Sequence, residues 1–308
     1  MGLEVLRAGL QSTVQDQGRL GYAHFGVSAS GAADNFSLRI GNILVGNPKY
    51  TAGIEMTIIG DKYRFKSDTY IALTGSEFEA ELDNKPILFW RRWPIKKEQI
   101  LDIRSTKTGA RCYLCVLGGI NVKDVMGAKT THLTSGIGGI HGRILKKMDE
   151  LDFGTLDDSI KPIQKLNESI TTDNKIIRVT KGTQWLWFHK NQKNKFFQHQ
   201  YRVTDLSNRM GLRLIGNAIN TKKESEITTA GIPLGAIQIP GDGQPIISFV
   251  EHQTTGGYPI IANVISADLR KIGQLKPEDC FQFELISFGA AEKLKVEQEI
   301  FLHSLHYD

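Results

Sequence analysis

The stretch LKKMDELDF (145–153) returns without a gap as LKPEDCFQF (275–283). Asp149 stands opposite Asp279, and an apolar alternation closes each copy on Phe153 and Phe283. Outward from this match the correspondence continues. NVKDVMG (121–127) parallels SADLRKIG (266–273), and Thr108-Gly109-Ala110-Arg111 parallels Thr255-Gly256-Gly257-Tyr258. Ile58-Ile59-Gly60 is followed by Thr74-Gly75 and Pro86-Ile87, as Leu214-Ile215-Gly216 is followed by Ala230-Gly231 and Pro245-Ile246. The order is collinear and the offsets change in loops. A repeat this long means two copies of one domain rather than a solenoid, whose units run to ~20–50 residues. A chain of 308 residues has room for two domains.

The pattern inside each copy is that of strands. YRFKSDTYIALTG, FEAELDNKPILFW, RCYLCVLGGI, IIRVTKGTQWLWF, GAIQIPGDGQPIISFV and FQFELISF run apolar or alternate between Gly, Asn, Asp and Pro clusters. Turns fall at Asp83-Asn84 and Gly241-Asp242-Gly243. One helix stands out. Phe36, Ile40, Ile43 and Leu44 share a face, Ser30 can cap it, Asp34 sits in its first turn, and Gly46 ends it before Asn47-Pro48. Short helices are expected in NVKDVMG and SADLRKIG. The expected fold is therefore mainly β: two tandem barrels or sandwiches with a few short helices. The first domain covers 1–155 and carries the Gly-rich N-terminal loop. A polar linker covers 156–175. The second domain covers 176–308 and ends in a helix.

Composition excludes several classes. Hydrophobic residues make up 40%, enough for ordinary cores, and no run suits a membrane helix. The N-terminus turns polar too soon for a signal peptide, and Leu6 breaks the myristoylation pattern. Net charge is +5 and dispersed, so a solvated surface is favoured over a nucleic-acid groove. WRRWPIKK (90–97) reads as a surface hairpin corner. Cys112, Cys115 and Cys280 lack the four ligands of a structural metal site, so no metal is expected. They read as reduced, buried thiols of a cytoplasmic protein.

Two regions are poor core material. QTTGGYP (253–259) carries Gln253, Thr254, Thr255 and Tyr258 around Gly256 and Gly257. It reads either as a polar, uncharged binding loop or as a tight glycine turn between strands. Residues 13–47 are dense in Gly and hold Asp16, Arg19, His24, Ser28, Ser30, Asp34 and Asn42. A Gly-rich loop entering a helix can hold an anion; the same loop can cap a barrel with Asp16 and Arg19 paired. GIGGIHGRILK (136–146) departs from the nucleotide-loop patterns at His141, but Arg143 can clamp a phosphate or carboxylate. The expectation places Asp16, Arg19 and Asp34 around one cleft with Gln253, Thr254, Thr255 and Tyr258. Arg19 would hold an anion, Asp16 would orient Arg19 or a water, and Thr255 with the Gly256 and Gly257 amides would bind an amide or oxyanion.

TVQDQGRLGYAHFGVSASGAAD, IGNILVGN, IEMTIIG, GGIHGRILK, GIPLGAIQIP and QTTGGYP together resemble the family that contains the 5-oxoprolinase C subunits, KipA and allophanate hydrolase subunit 2. That family includes part of the carboxyltransferase region of urea carboxylase. The resemblance spans residues 3–290. It departs from the usual pattern at Glu251-His252, where Asp-Arg or Asp-His is common, and it weakens over GAKTTHLTSG (127–136). The resemblance implies two cyclophilin-like barrels. It also implies two partner proteins, one KipI-like and one LamB/YcsF-like, with a small-molecule substrate. The implied reaction is ATP-driven opening of 5-oxoproline to glutamate. Asp16, Arg19, Asp34, Gln253, Thr254 and Thr255 are the expected catalytic set, and Arg143, Gly256, Gly257 and Tyr258 the substrate-binding set. No Met-Lys-Met biotinylation motif is present, since Lys146-Lys147-Met148 is not one, so no biotin is expected on this chain. Two other readings stay open: a carboxyltransferase component of a biotin enzyme, and a non-enzymatic antagonist of a kinase inhibitor.

Overall fold

The computed structural model describes residues 1–155, 161–166, 170, 175–222 and 226–305. The expected linker at 156–175 lies largely outside them, although Gln164 and Leu166 bond to the backbone of Arg92 and Trp90. The chain forms two compact units: Met1–Arg19 with Ser30–Thr171 and Phe301–Asp308, and Leu20–Ala29 with Thr172–Ile300. Among the described residues no helix is long and apolar enough to cross a membrane.

The fold is mainly β, with few helices. The first unit carries a seven-stranded and a five-stranded sheet. Their facing sides bury Leu3, Val5, Tyr63, Phe65, Leu101, Ile103, Ile54, Leu73 and Leu114 in one core. Helix α1 (Asn35–Val45) packs on the five-stranded sheet beside Ala72, Tyr113 and Cys115. Gly41 permits the close approach, because a Cβ there would sit 2.6 Å from the Cys115 Sγ and 2.9 Å from the Thr74 Oγ1. The sequence suggests an amphipathic helix, yet Phe36 to Val45 are all buried, since Leu302 and Leu305 belong to the same cluster. Asp34, not Ser30, caps it: its carboxylate accepts the Ser37 N–H at 3.0 Å.

The second unit closes into a seven-stranded barrel. Strand Ile176–Lys181 completes the ring by pairing parallel with Cys280–Leu285 and antiparallel with Ile260–Val264. Inside lie Ile177, Val179, Tyr201, Leu212, Leu214, Ile237, Ile247, Phe281 and Phe283. Helix α2 (Lys190–Gln198) adds Phe196, stacked on Phe283 at 4.6 Å between ring centres. SADLRKIG forms a 3-10 turn and the helix α3 (Leu269–Gly273), which Asp268 ties to Arg178 through a 2.9 Å bond from Nε. NVKDVMG forms no helix; it is a short strand and a bridged turn between Val125 and Ala128. The tail is the helix α4 (Phe288–Ser304). Cys112 and Cys115 are buried as expected, but Cys280 is exposed at the start of its strand.

The matched LKKMD and LKPED segments make the same turn. Asp149 and Asp279 each accept the N–H of the Lys three residues earlier, at 2.8 and 2.9 Å. Met148 and Glu278 both take φ +75. Each then donates its N–H to a valine carbonyl, Val5 or Val203. The Gly60 and Gly216 match does not carry over: Gly60 precedes Lys62–Phe65, whereas Gly216 follows Gly211–Ile215. The repeat itself extends beyond the turn: the antiparallel run Glu150–Phe153, Gly2–Arg7, Lys62–Phe65, Ile100–Thr106, Phe78–Leu82 has the same order as Cys280–Leu285, Gln200–Val203, Gly211–Ile215, Ile246–Ser248, Ala236–Gln238.

Asp149 also holds Arg143 in a two-pronged ion pair, 2.6 and 2.8 Å. The Arg143 guanidinium is first among the causes that hold the Asp149 carboxyl below its ordinary range. A carboxyl lowered by folding stabilises the protein above its unfolded pKa of ~3.9 and loses that contribution as pH falls through the folded value. Asp149→Ala is therefore expected to cost on the order of 1–3 kcal/mol in urea unfolding at pH 7. The difference from wild type should shrink below pH ~3.9.

Candidate functional site

The second unit carries a cavity of about 290 Å³ lined by Asn208, Met210, Arg213, Gln238, Ser248, His252, Gln253 and Tyr258 among others. Its floor is the outer face of the barrel. Strand Gly211–Ile215 pairs with Ile246–Ser248, which pairs in turn with Ala236–Gln238. In that register Arg213, Ile246 and Gln238 lie side by side across three strands, with Gly211 opposite Ser248 in the next row. Leu212, Leu214, Ile237 and Ile247 alternate inward, which turns the polar residues outward. Gln238 donates to the Ser248 Oγ at 2.8 Å.

Two loops form the walls, and a buried ion pair joins their roots. Arg209 and Glu251 are 3% and 0% exposed and meet at 2.6 Å. The Glu251 N–H also donates to the Arg209 carbonyl, and the Phe249 N–H to that of Met210. Asn208 folds its side chain back to accept the Met210 N–H at 2.8 Å. On the other wall, the His252 Nδ1 lies 2.8 Å from the Gln253 carbonyl. A carbonyl only accepts, so Nδ1 carries the proton and Nε2 is left as an acceptor. Burial pushes the His252 imidazole below its ordinary value, favouring the neutral ring.

QTTGGYP is both a turn and a wall. Thr255–Gly256 pairs with Ala230–Gly231 as a two-stranded arm, and the Thr254 carbonyl accepts the Ile232 N–H at 3.0 Å. Gln253 and Tyr258, at the two ends, line the cavity; Thr254, Thr255, Gly256 and Gly257 do not. Gly256 lies against Ile232 and Gln238, so a Cβ there would overlap the Ile232 side chain. Among the described residues the Arg213 guanidinium has no hydrogen-bond or ion-pair partner, and Arg213 is exposed.

The other expected residues belong to the first unit. Asp16 accepts the N–H of Gly18 at 2.8 Å and of Lys129 at 2.7 Å. Arg19 is 1% exposed and donates to the Val125 and Thr130 carbonyls at 3.1 and 3.0 Å. The loop around 136–146 is packed here too, since a Cβ at Gly138 would reach the Arg19 guanidinium at 2.8 Å. Ser30 donates to the Thr131 carbonyl, and the Gly31 N–H to the Thr130 Oγ1. The amides before α1 are engaged internally: Ala33 donates to Glu55 and Asp34 to the Tyr113 hydroxyl. The first unit thus brings Asp16, Arg19 and the 136–146 loop together in a buried polar network. Asp34 serves the helix cap, and Arg143 pairs with Asp149.

Residues 25–285 match the family described as carboxyltransferase domain, subdomain A and B. The chain belongs to this carboxyltransferase-domain family. It is 36% identical to the C subunit of 5-oxoprolinase from Escherichia coli over 98% of this chain and 97% of that protein. Identity to the C subunit of 5-oxoprolinase from Haemophilus influenzae is 34%, with the same coverage. The structure also resembles the K. lactis urea amidolyase, with a TM-score of 0.91 and 31% identity over 99% of this chain; it spans 20% of that longer chain. Similar sequences therefore occur both as separate subunits and within longer chains.

Within this family member, Asn208, Met210, Arg213, Gln238 and Ser248 do not stand out in the sequence, and His252 does so only as part of the departure at Glu251-His252. The signal available is the alternation in Gly211-Leu212-Arg213-Leu214, which sets Arg213 opposite the buried leucines. Removing one partner of a buried ion pair leaves an uncompensated charge and typically costs ~3–5 kcal/mol. Glu251→Gln is accordingly expected to lower urea-unfolding stability by about that much, and more than Glu284→Gln on an exposed strand position.

Proposed function

We propose that this chain is the substrate-holding subunit of an ATP-dependent 5-oxoprolinase. It would work with a KipI-like partner and a LamB/YcsF-like partner, opening 5-oxoproline to L-glutamate. The observation that carries this reading is the donor set of the second-unit cavity. One guanidinium, Arg213, stands beside neutral amide and hydroxyl groups of Gln238, Ser248 and Gln253. 5-Oxoproline is a five-membered lactam with one carboxylate, and these groups match it: Arg213 for the carboxylate, the amides and hydroxyl for the ring N–H and C=O. The near-full-length correspondence with two proteins named as C subunits of 5-oxoprolinase supports the same reading.

A lactam carbonyl is a poor electrophile. Transfer of the terminal phosphoryl group of ATP to the lactam oxygen turns that oxygen into a leaving group. Water then adds to the ring carbon, its proton passes to the ring nitrogen as the C–N bond breaks, and the product is the acyl phosphate of the glutamate side chain. A second water cleaves this acyl phosphate, so that glutamate, ADP and phosphate are left. The chain's own contribution is to fix the ring and to orient the water. His252, neutral and with Nε2 free to accept a proton, is the group in the cavity suited to the second task. Neutral donors along the ring suit charge that grows on the oxygen during the reaction.

A second reading, a carboxyltransferase component acting with a biotinyl partner, is favoured by the TM-score of 0.91 to the K. lactis urea amidolyase. The discriminating experiment measures ADP release by the chain alone and with its partner proteins. Release that depends on 5-oxoproline in the assembled complex supports the first reading; carboxyl transfer from carboxybiotin to urea supports the second. In the 5-oxoprolinase assay, Arg213→Gln is expected to raise KM for 5-oxoproline by ~10–100-fold, the value of one charge-assisted contact. His252→Gln is expected to lower kcat with little change in KM. Arg213→Gln with unaltered KM in a fully assembled complex would remove the cavity from consideration.

A further inference from the structure

A basic site in the second unit has no role in the reading above. Between Lys175 and Thr204 the chain carries lysines and arginines but no Asp or Glu. Arg178 and Arg202 are neutralised from elsewhere, by Asp268 and Glu278. Lys181 and Lys193 have no such partner among the described residues. Both ammonium groups lie over the Trp185 indole, 5.8 and 4.5 Å from the ring centre. Lys193 is half-buried, and burial together with Lys222 and Lys181 pushes its ammonium below the ordinary lysine value. Among the described residues the charged neighbours that act on it are both cations, a repulsion that a bound anion would relieve.

Three separate elements hold this arrangement in place. Lys181 ends a barrel strand, in register with Ala262. Lys193 lies on α2, and the region around α2 binds the segment bearing Lys222 in three places. The Lys195 Nζ donates to the Ala218 carbonyl at 2.8 Å. The Asn220 N–H donates to the Gln192 side chain at 3.0 Å. The Lys222 N–H donates to the Trp187 carbonyl at 2.8 Å. Lys181 and Lys193 therefore meet over one indole from a strand end and a helix, and Lys222 approaches from a loop closely enough for its charge to act on Lys193. A row of charges along one face would suit an extended acidic surface; convergence on a point suits a compact polyanion. Lysine ammonium groups are strongly hydrated point charges, suited to phosphate oxygens.

We propose that Lys181 and Lys193 over Trp185, with Lys222 on the adjoining loop, form a binding site for a phosphoanhydride chain. The geometry identifies the polyphosphate. Its source, free polyphosphate or the triphosphate of ATP, follows from the proposed reaction and rests on that reading.

Trp185 is a built-in reporter. The full-length chain is titrated with inorganic tripolyphosphate, ATP and AMP, by calorimetry and by tryptophan emission. Tripolyphosphate and ATP are expected to bind, AMP much more weakly, with an emission change that Trp185→Phe removes. Lys193→Ala and Lys222→Ala should each weaken tripolyphosphate about tenfold, whereas Lys97→Ala, an exposed lysine of the first unit, should have no effect. In the assembled complex the same two variants should raise KM for ATP and leave KM for 5-oxoproline unchanged. The proposal is overturned if tripolyphosphate does not bind at millimolar concentration, or if both lysine variants bind it as wild type does. It is also overturned if those variants instead lose a partner protein while retaining tripolyphosphate, which would make the patch a protein interface. Tripolyphosphate binding in a complex that releases no ADP with 5-oxoproline would uphold the site and refute the 5-oxoprolinase reading.

Discussion

The ion pair between Arg209 and Glu251 is the constraint on which the cavity depends. Arg209 is followed by Met210, Gly211 and Arg213, and Glu251 by His252 and Gln253, so one bond fixes the roots of both walls. Taking two charges out of water is expensive, and a pair this buried contributes little net stability compared with apolar residues of the same shape. What it supplies is geometry. Its 2.6 Å contact, with the backbone bond from Glu251 to Arg209, leaves the two loops one way to meet. The exposed guanidinium of Arg213 then sits four residues along the chain from a guanidinium that is wholly committed. The same residue type serves as anchor and as free donor, and burial separates the two roles.

In the first unit a comparable supply of polar groups is spent differently. Asp16, Arg19, Ser30, Gln15 and Thr130 bond to loop backbone and to each other across segments more than a hundred residues apart. Buried carbonyls and amides need partners, and side chains that reach them hold loops as firmly as a sheet holds strands. Polarity and glycine content therefore mark two different things in this chain: an internally satisfied loop network in one unit and an open cavity in the other.

That distinction explains what could be read from the sequence. The β character, the helix near residue 40 and the turn shared by Asp149 and Asp279 depend on local patterns, and local patterns are visible in a linear chain. Asp34 marks the correct end of its helix, though as the cap itself and not as a first-turn residue. Gln253 and Tyr258 stand out because no core needs them. Arg213, Gln238 and Ser248 do not, because each comes from a different short strand and only the pairing register makes them neighbours. Gly60 and Gly216 mislead by likeness alone: a glycine beside two apolar residues suits either end of a strand. NVKDVMG lacks the full turn of helix-forming residues that SADLRKIG has, and its Gly127 lies inside the turn bridged by Val125 and Ala128 instead of ending a helix as Gly273 does.

The parallel pairing of Ile176–Lys181 with Cys280–Leu285 also orders events in time. The first strand of the barrel rests on the last, so nothing in that unit can close until residues past 280 are available. Ring closure across so many residues carries a large loop entropy and slows folding relative to local hairpins. During synthesis the first unit's sheets, complete by Phe153, have their strands in hand long before the barrel does. The barrel strands wait with unpaired edges, and in that interval they are the part of the chain most exposed to aggregation.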